Sequence, residues 1–219
     1  MADEQPIKIE KLIDTGDRFR VHITGLEEPL VVSAVLVHQH RLKAGIVLTP
    51  PQLDQLQAEA ELAECDRAVA RMLGMREHTT GELRAKLRQR QFSREAIDRT
   101  VKQYTDRGLL DDAHVAVKLV RAALAKNPAG RAYLIALLRR KRIDRDLAMQ
   151  TVDMVLGGRD ETAMAVESLS KRWPSLRQLE LERARTKAYH YLSRRGIGYD
   201  AARAAFEELY NRENEDSDH

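Results

Sequence analysis

Residues 85–101 read AKLRQRQFSREAIDRTV, and residues 136–152 read ALLRRKRIDRDLAMQTV. The second stretch begins 51 residues after the first, and Leu87 falls on Leu138, Arg88 on Arg139, Arg94 on Arg145, Thr100 on Thr151 and Val101 on Val152. In each copy an apolar pair four residues apart follows a capping hydroxyl or carboxylate. Ser93 precedes Ile97 and Val101, and Asp144 precedes Ala148 and Val152. That spacing predicts one buried helix face behind a helix N-cap. A fainter third copy, KAYHYLSRRGIGYDAARAAF at 187–206, carries Leu192, Arg195, Ile197, Ala202 and Phe206 where the second has Leu138, Lys141, Ile143, Ala148 and Val152.

Each unit of about 50 residues reads as helix, short helix, cap, helix. A unit that small buries too little apolar surface to stand alone, so successive units are expected to stack. The predicted fold is mainly α: tandem three-helix repeats forming an elongated curved array, with a small N-terminal β-rich element.

Outward from the repeats, local signals divide the chain. KIEKLI (8–13) and RFRVHI (18–23) alternate around the turn Asp14–Asp17, which predicts a hairpin, and LVVSAVLV (30–37) opens as a third strand. TPPQ at 49–52 places a hydroxyl at an N-cap, proline at the first helical position and glutamine at N3, so a helix starts there and is expected to run toward Ala63. Thr79-Thr80-Gly81-Glu82 is a capping box, and Gly108 supplies a helix stop. The expected organisation is a β-rich extension at 1–48, a linking helix at 49–64, repeats at 65–110, 111–158 and 159–211, and a disordered acidic tail at 212–219.

Charge is unevenly spread. Residues 1–64 carry 6 Lys/Arg against 11 Asp/Glu, whereas 65–211 carry 30 against 19. The repeat-bearing part should therefore attract polyanions or acidic protein surfaces. The single cysteine, Cys65, excludes an intrachain disulfide, and it sits at an apolar helix position where packing is the expected role. The start MADEQPIKIEK lacks the apolar core of a secretion signal, and no apolar run approaches the roughly 20 residues a membrane helix needs, so a cytoplasmic location is expected. His38 and His40 would share one face of a strand, but no nearby cysteine or carboxylate pattern completes a metal site. Neither phosphate-loop pattern, GxxxxGK[ST] or GxGxxG, occurs. No catalytic set, cofactor or metal is expected. Trp173 reads as a core residue closing a helix of the third repeat.

The run LGMREHTTGELRAKLRQRQFSREAIDRTVKQYTDRGLLDDAHVA (73–116) resembles the first repeat of RecX-family regulatory proteins. Glu82, Leu83, Leu87, Phe92, Gly108, Leu109, Asp111 and Asp112 stand at that family's cap, helix, hinge and G-L-L-D-D junction positions. Gly130 in NPAG matches the glycine before its second helix, and RKRI follows as the next hinge. The resemblance spans about residues 8–211. One departure is that Gln91 and Arg142 occupy a hinge position where the family often has glycine, which is expected to tighten or shift that turn. Gly196 keeps the glycine.

The resemblance implies a non-enzymatic protein that binds the RecA recombinase filament on DNA and restrains its assembly, ATPase and strand exchange, within homologous recombination, DNA repair and the SOS response. The expected contacts to RecA or DNA are basic: Arg84 and Arg88 in repeat one, Arg139, Arg140, Lys141, Arg142 and Arg145 in repeat two, and Arg194 and Arg195 in repeat three. Guanidinium groups fork equally well onto carboxylates and phosphates. The same residues also suit a merely solvated helix C-terminus. A stand-alone DNA-binding regulator built from helix-turn-helix-like modules is the alternative reading. A monomer is expected, with no membrane association.

Overall fold

The structure, a computed structural model, describes residues 6–217, which divide into two compact units. The first runs to His78 and resumes at Leu83–Leu110; the second comprises Thr79–Glu82 and everything from Asp111 onward.

The first unit begins with an antiparallel sheet of strand order β3-β2-β1-β4, made of β1 (Ile7–Asp14), β2 (Arg18–Ile23), β3 (Leu30–Ser33) and β4 (Val47–Leu48). The apolar run after Leu30 does not continue as a strand. Ser33 accepts from the Leu36 amide and caps helix α1 (Ala34–Gln39). His38 and His40 therefore lie at a helix end rather than on a strand face, and the His40 imidazole meets Glu59 at 2.6 Å.

Helix α2 (Pro50–Met75) is 26 residues long and opens with the expected Thr49/Gln52 capping box. It does not stop near Ala63. Its first half packs Leu56 and Ala60 against the sheet core around Ile9, Val21 and Val32, and its second half buries Cys65, Ala68, Val69 and Met72 in the first repeat. A separate linking helix at 49–64 is thus replaced by one helix shared between two cores. The first repeat is completed by α3 (Thr80–Gln89) and α4 (Arg94–Asp106), with Leu83, Leu87, Ile97 and Val101 inside.

The second unit holds α5 (Asp112–Lys126), α6 (Arg131–Arg140) and α7 (Arg145–Leu156) around Val120, Leu134, Leu138, Ile143 and Val152. It continues with α8 (Glu161–Ser170), the single-turn α9 (Trp173–Leu176), α10 (Leu181–Arg194) and α11 (Tyr199–Ser217). The last core is alanine-rich, and Phe206 takes the edge of Trp173 at 5.3 Å between ring centres. Trp173 starts a short helix rather than closing one. Its Nε1 donates to Glu213 at 2.8 Å, and Arg177 reaches the same carboxylate at 3.1 Å. Helix α11 accordingly runs through the acidic stretch to Ser217, where a disordered tail was expected; residues 218 and 219 lie outside the described residues.

All three repeats share one hinge. The residues Gln91, Arg142 and Gly196 adopt left-handed φ values of 63°, 57° and 71°. The following amide returns to the same helical position each time: Phe92 to Leu87 at 3.3 Å, Ile143 to Leu138 at 3.2 Å and Ile197 to Leu192 at 3.1 Å. A second, shorter bond runs from each left-handed residue to Arg88, Arg139 or Ser193. This is a Schellman ending, in which the apolar residue after the left-handed one packs back on the helix. The hinge is therefore neither tightened nor shifted where glycine is missing. Gln91 and Arg142 adopt the glycine conformation at a cost of about 1–2 kcal/mol each.

Candidate functional site

Basic side chains around the hinge have different partners. In the second unit the residue before the left-handed position is used internally. The Lys141 carbonyl accepts from the Thr79 hydroxyl at 2.6 Å, and its ammonium reaches Glu82 at 3.3 Å. One repeat later the Arg195 carbonyl accepts from the Gly130 amide at 2.8 Å. The Arg195 guanidinium donates to the carbonyls of Asn127 and Pro128 at 2.7 and 3.0 Å, and it lies 4.7 Å over the Tyr133 ring. The Arg195 guanidinium thus satisfies backbone carbonyls that would otherwise be left unpaired, whereas the Lys141 ammonium is spent on the Glu82 carboxylate.

Arg84 is engaged as well. Its guanidinium is bonded to Asp98, which holds that carboxyl below the usual aspartate range, with Arg94 adding a weaker attraction. Sequence reading gave no warning of these three assignments. Arg195 and Lys141 are separated from their partners by about 60 residues or more, and only the glycines at 130 and 196 hinted at close backbone approach.

The remaining candidates are different. Arg88, Arg139, Arg140, Arg142, Arg145 and Arg194 are exposed, and none has an ion pair with a described residue. Four of them stand within residues 139–145. Arg139 and Arg140 lie in the last turn of α6, where the helix dipole favours positive charge, and Arg145 opens α7. The only carboxylate interleaved with them before Asp146, Asp144, is committed as the α7 cap. Amide donation from Asp146 and Leu147 holds its pKa below the ordinary value, and the charge of Arg139 adds to the effect. Beside these arginines Ala132, Ile135 and Ala136 form the apolar floor of a shallow depression of about 620 Å³ on α6, rimmed by Arg131, Arg139 and Arg140. Arg131 is itself clamped by Asp153, with two bonds at 2.6 and 2.9 Å. The result is a surface of forked donors around a small apolar strip, suited to carboxylates or phosphates carried on a larger partner.

Other chemistry is sparse. Cys65 is fully buried, and burial pushes its thiol up, away from nucleophilic use. Among the described residues no group of three or more His, Cys, Asp or Glu side chains is arranged to hold a metal, and no helix is long and apolar enough to cross a membrane.

Comparison with known proteins gives this geometry a family. The model described as RecX, first three-helix domain, matches residues 67–103. Regulatory protein RecX from Chlorobium phaeobacteroides is 31% identical over 140 residues, covering 64% of this chain and 89% of the relative. Regulatory protein RecX from Deinococcus radiodurans is 34% identical over 148 residues, covering 68% and 67%. Two crystal structures share the fold. A regulatory protein RecX superposes with a TM-score of 0.63 at 20% identity over 89% of this chain and 96% of the other. RecX from Lactobacillus salivarius gives 0.59 at 18% over 68% and 96%. The hinge, the repeats and these relatives agree: the chain belongs to the RecX family of regulatory proteins.

Proposed function

We propose that this protein regulates homologous recombination by binding the RecA recombinase filament on DNA and restraining its assembly, ATPase and strand exchange. The observation that carries this reading is the group of exposed arginines at 139, 140, 142 and 145, left without ion-pair partners beside a hinge that commits its neighbours. Arg88 and Arg194 offer the same chemistry on the first and third repeats. A filament presents its surface periodically, so three linked modules of weak individual affinity engage it far more strongly together through raised effective concentration. In this reading the chain acts as a monomer, without cofactor or catalysis.

Binding to bare DNA and to RecA assembled on single-stranded DNA, measured side by side, tests the proposal. Saturable binding to the filament, accompanied by a fall in its ATPase at substoichiometric amounts, is the expected result. Tight duplex binding that falls steeply with salt, with no effect on the filament, would instead favour a stand-alone DNA-binding regulator.

A further inference from the structure

A cavity of about 590 Å³ opens in the third repeat between α9 and α10, within the size range of small-molecule sites. Its wall carries Arg172, Lys187, His190 and Arg194, and no carboxylate lines it. Several other cations of the same repeat are paired: Arg177 meets Glu213 at 3.1 Å, Arg185 meets Glu182 at 2.7 Å and Arg203 meets Glu207 at 2.9 Å. Arg172, Lys187 and Arg194 have no such partner among the described residues. Like charges gathered in one cleft repel, so the arrangement is at its most favourable with an anion between them.

The cleft is also preorganised. The Arg172 guanidinium is held 4.3 Å over the Tyr191 ring, and the Tyr191 hydroxyl pairs at 3.1 Å with Ser168, whose side chain is wholly buried. Lys187, Tyr191 and Arg194 follow one another at helical spacing along α10 and so face the cavity together. Leu176 and Leu179 supply an apolar floor, and Thr186 also lines the cavity. Fixed guanidinium and ammonium groups above an apolar floor match a ligand with clustered anionic oxygens joined to a flat, weakly polar body.

We propose that this cavity is a nucleotide site, taking the phosphate oxygens on Arg172, Lys187 and Arg194 and the base over Leu176 and Leu179. The phosphate is that of a free nucleoside triphosphate or of one residue in a single strand. The site shares Arg194 with the filament reading, but Arg172 and Lys187 take no part in that reading, so variants at these two residues test the site separately.

The test uses the full chain and calorimetric titration with ATP, inorganic pyrophosphate and a short single-stranded oligothymidylate. Lys187→Gln is the main variant, since Lys187 is exposed. Arg172→Gln is the second, with the thermal midpoint recorded as a folding check. An Arg121→Gln/Lys126→Gln double variant, removing exposed charge from α5, is the control. The expected result is one saturable site per chain for at least one probe, weakened about tenfold or more by Lys187→Gln and unaffected by the control. ATP and pyrophosphate binding identifies the free nucleotide as the source; binding of the oligothymidylate alone identifies the strand. Absence of binding by all three probes, or equal weakening by the control, overturns the proposal.

Discussion

The Gly130 amide donates to the Arg195 carbonyl at 2.8 Å, and a β-carbon on Gly130 would overlap the carbonyl of Gly196 next to it. Gly130 has an ordinary φ of −76°, so glycine is needed there for close approach and not for backbone freedom. The first repeat meets the same demand at Gly81, where a β-carbon would overlap the Arg142 carbonyl. Gly130→Ala and Gly81→Ala should each lower stability by about 1–3 kcal/mol in urea unfolding, as overpacked contacts do. Gly74 offers the contrast. It lies inside α2 with open space around it, and Gly74→Ala should raise stability by roughly 0.5–1 kcal/mol.

The left-handed hinge residues make an opposite prediction. Gln91 is exposed and carries φ 63°, so Gln91→Gly should relieve strain and leave a net gain of up to about 1 kcal/mol after the entropic cost of glycine. Chemical denaturation of the two proteins side by side checks it. A clear loss on going to glycine would show that the Gln91 side chain contributes something the hinge geometry does not.

Cys65 should resist thiol reagents at neutral pH. The thiol is fully buried in the first-repeat core and burial holds its pKa up, so little thiolate is present or reachable. Labelling should follow unfolding, appearing with the denaturation transition. Rapid reaction of the native protein would contradict this packing.

Acid should weaken the fold through a short set of carboxylates. Asp98 beside Arg84, Asp153 beside Arg131 and Asp144 under its capping amides all have folded pKa values below the ordinary aspartate value. The unfolded chain therefore binds more protons near pH 4, and stability rises with pH there. The contribution is complete above that range and is lost as pH falls through the depressed values. Asp98→Asn should flatten the acid limb of a thermal-stability profile relative to the parent.

Much of this architecture can be read from local chemistry. Thr49, Thr79, Ser93, Asp111 and Asp144 all cap the helices that their positions imply, because a cap and the amides it satisfies lie within three residues. The strand-to-helix switch at Ser33 was harder, since Leu30–Val37 is apolar throughout and only the serine marks the change. The continuity of α2 across residue 64 escapes any reading by composition: charge changes there, but no glycine or proline interrupts the helix. Among the candidate arginines, type and clustering were legible but availability was not. Arg195 and, beside the arginines, Lys141 are spent on partners distant in sequence, whereas Arg139 and Arg140, one or two residues before Lys141, are not.

The regulatory account turns on the free arginines of the second repeat. Its most direct test is the ATPase of RecA on single-stranded DNA, titrated with the native chain and with an Arg139→Glu/Arg140→Glu/Arg145→Glu variant. These side chains are exposed and without ion-pair partners, so the variant should fold, with a melting midpoint lowered only modestly by acidic side chains at the C-terminal end of α6. The account predicts that about tenfold more variant is needed for the same inhibition, or that inhibition disappears. A variant that restrains the ATPase as well as the native chain would contradict it.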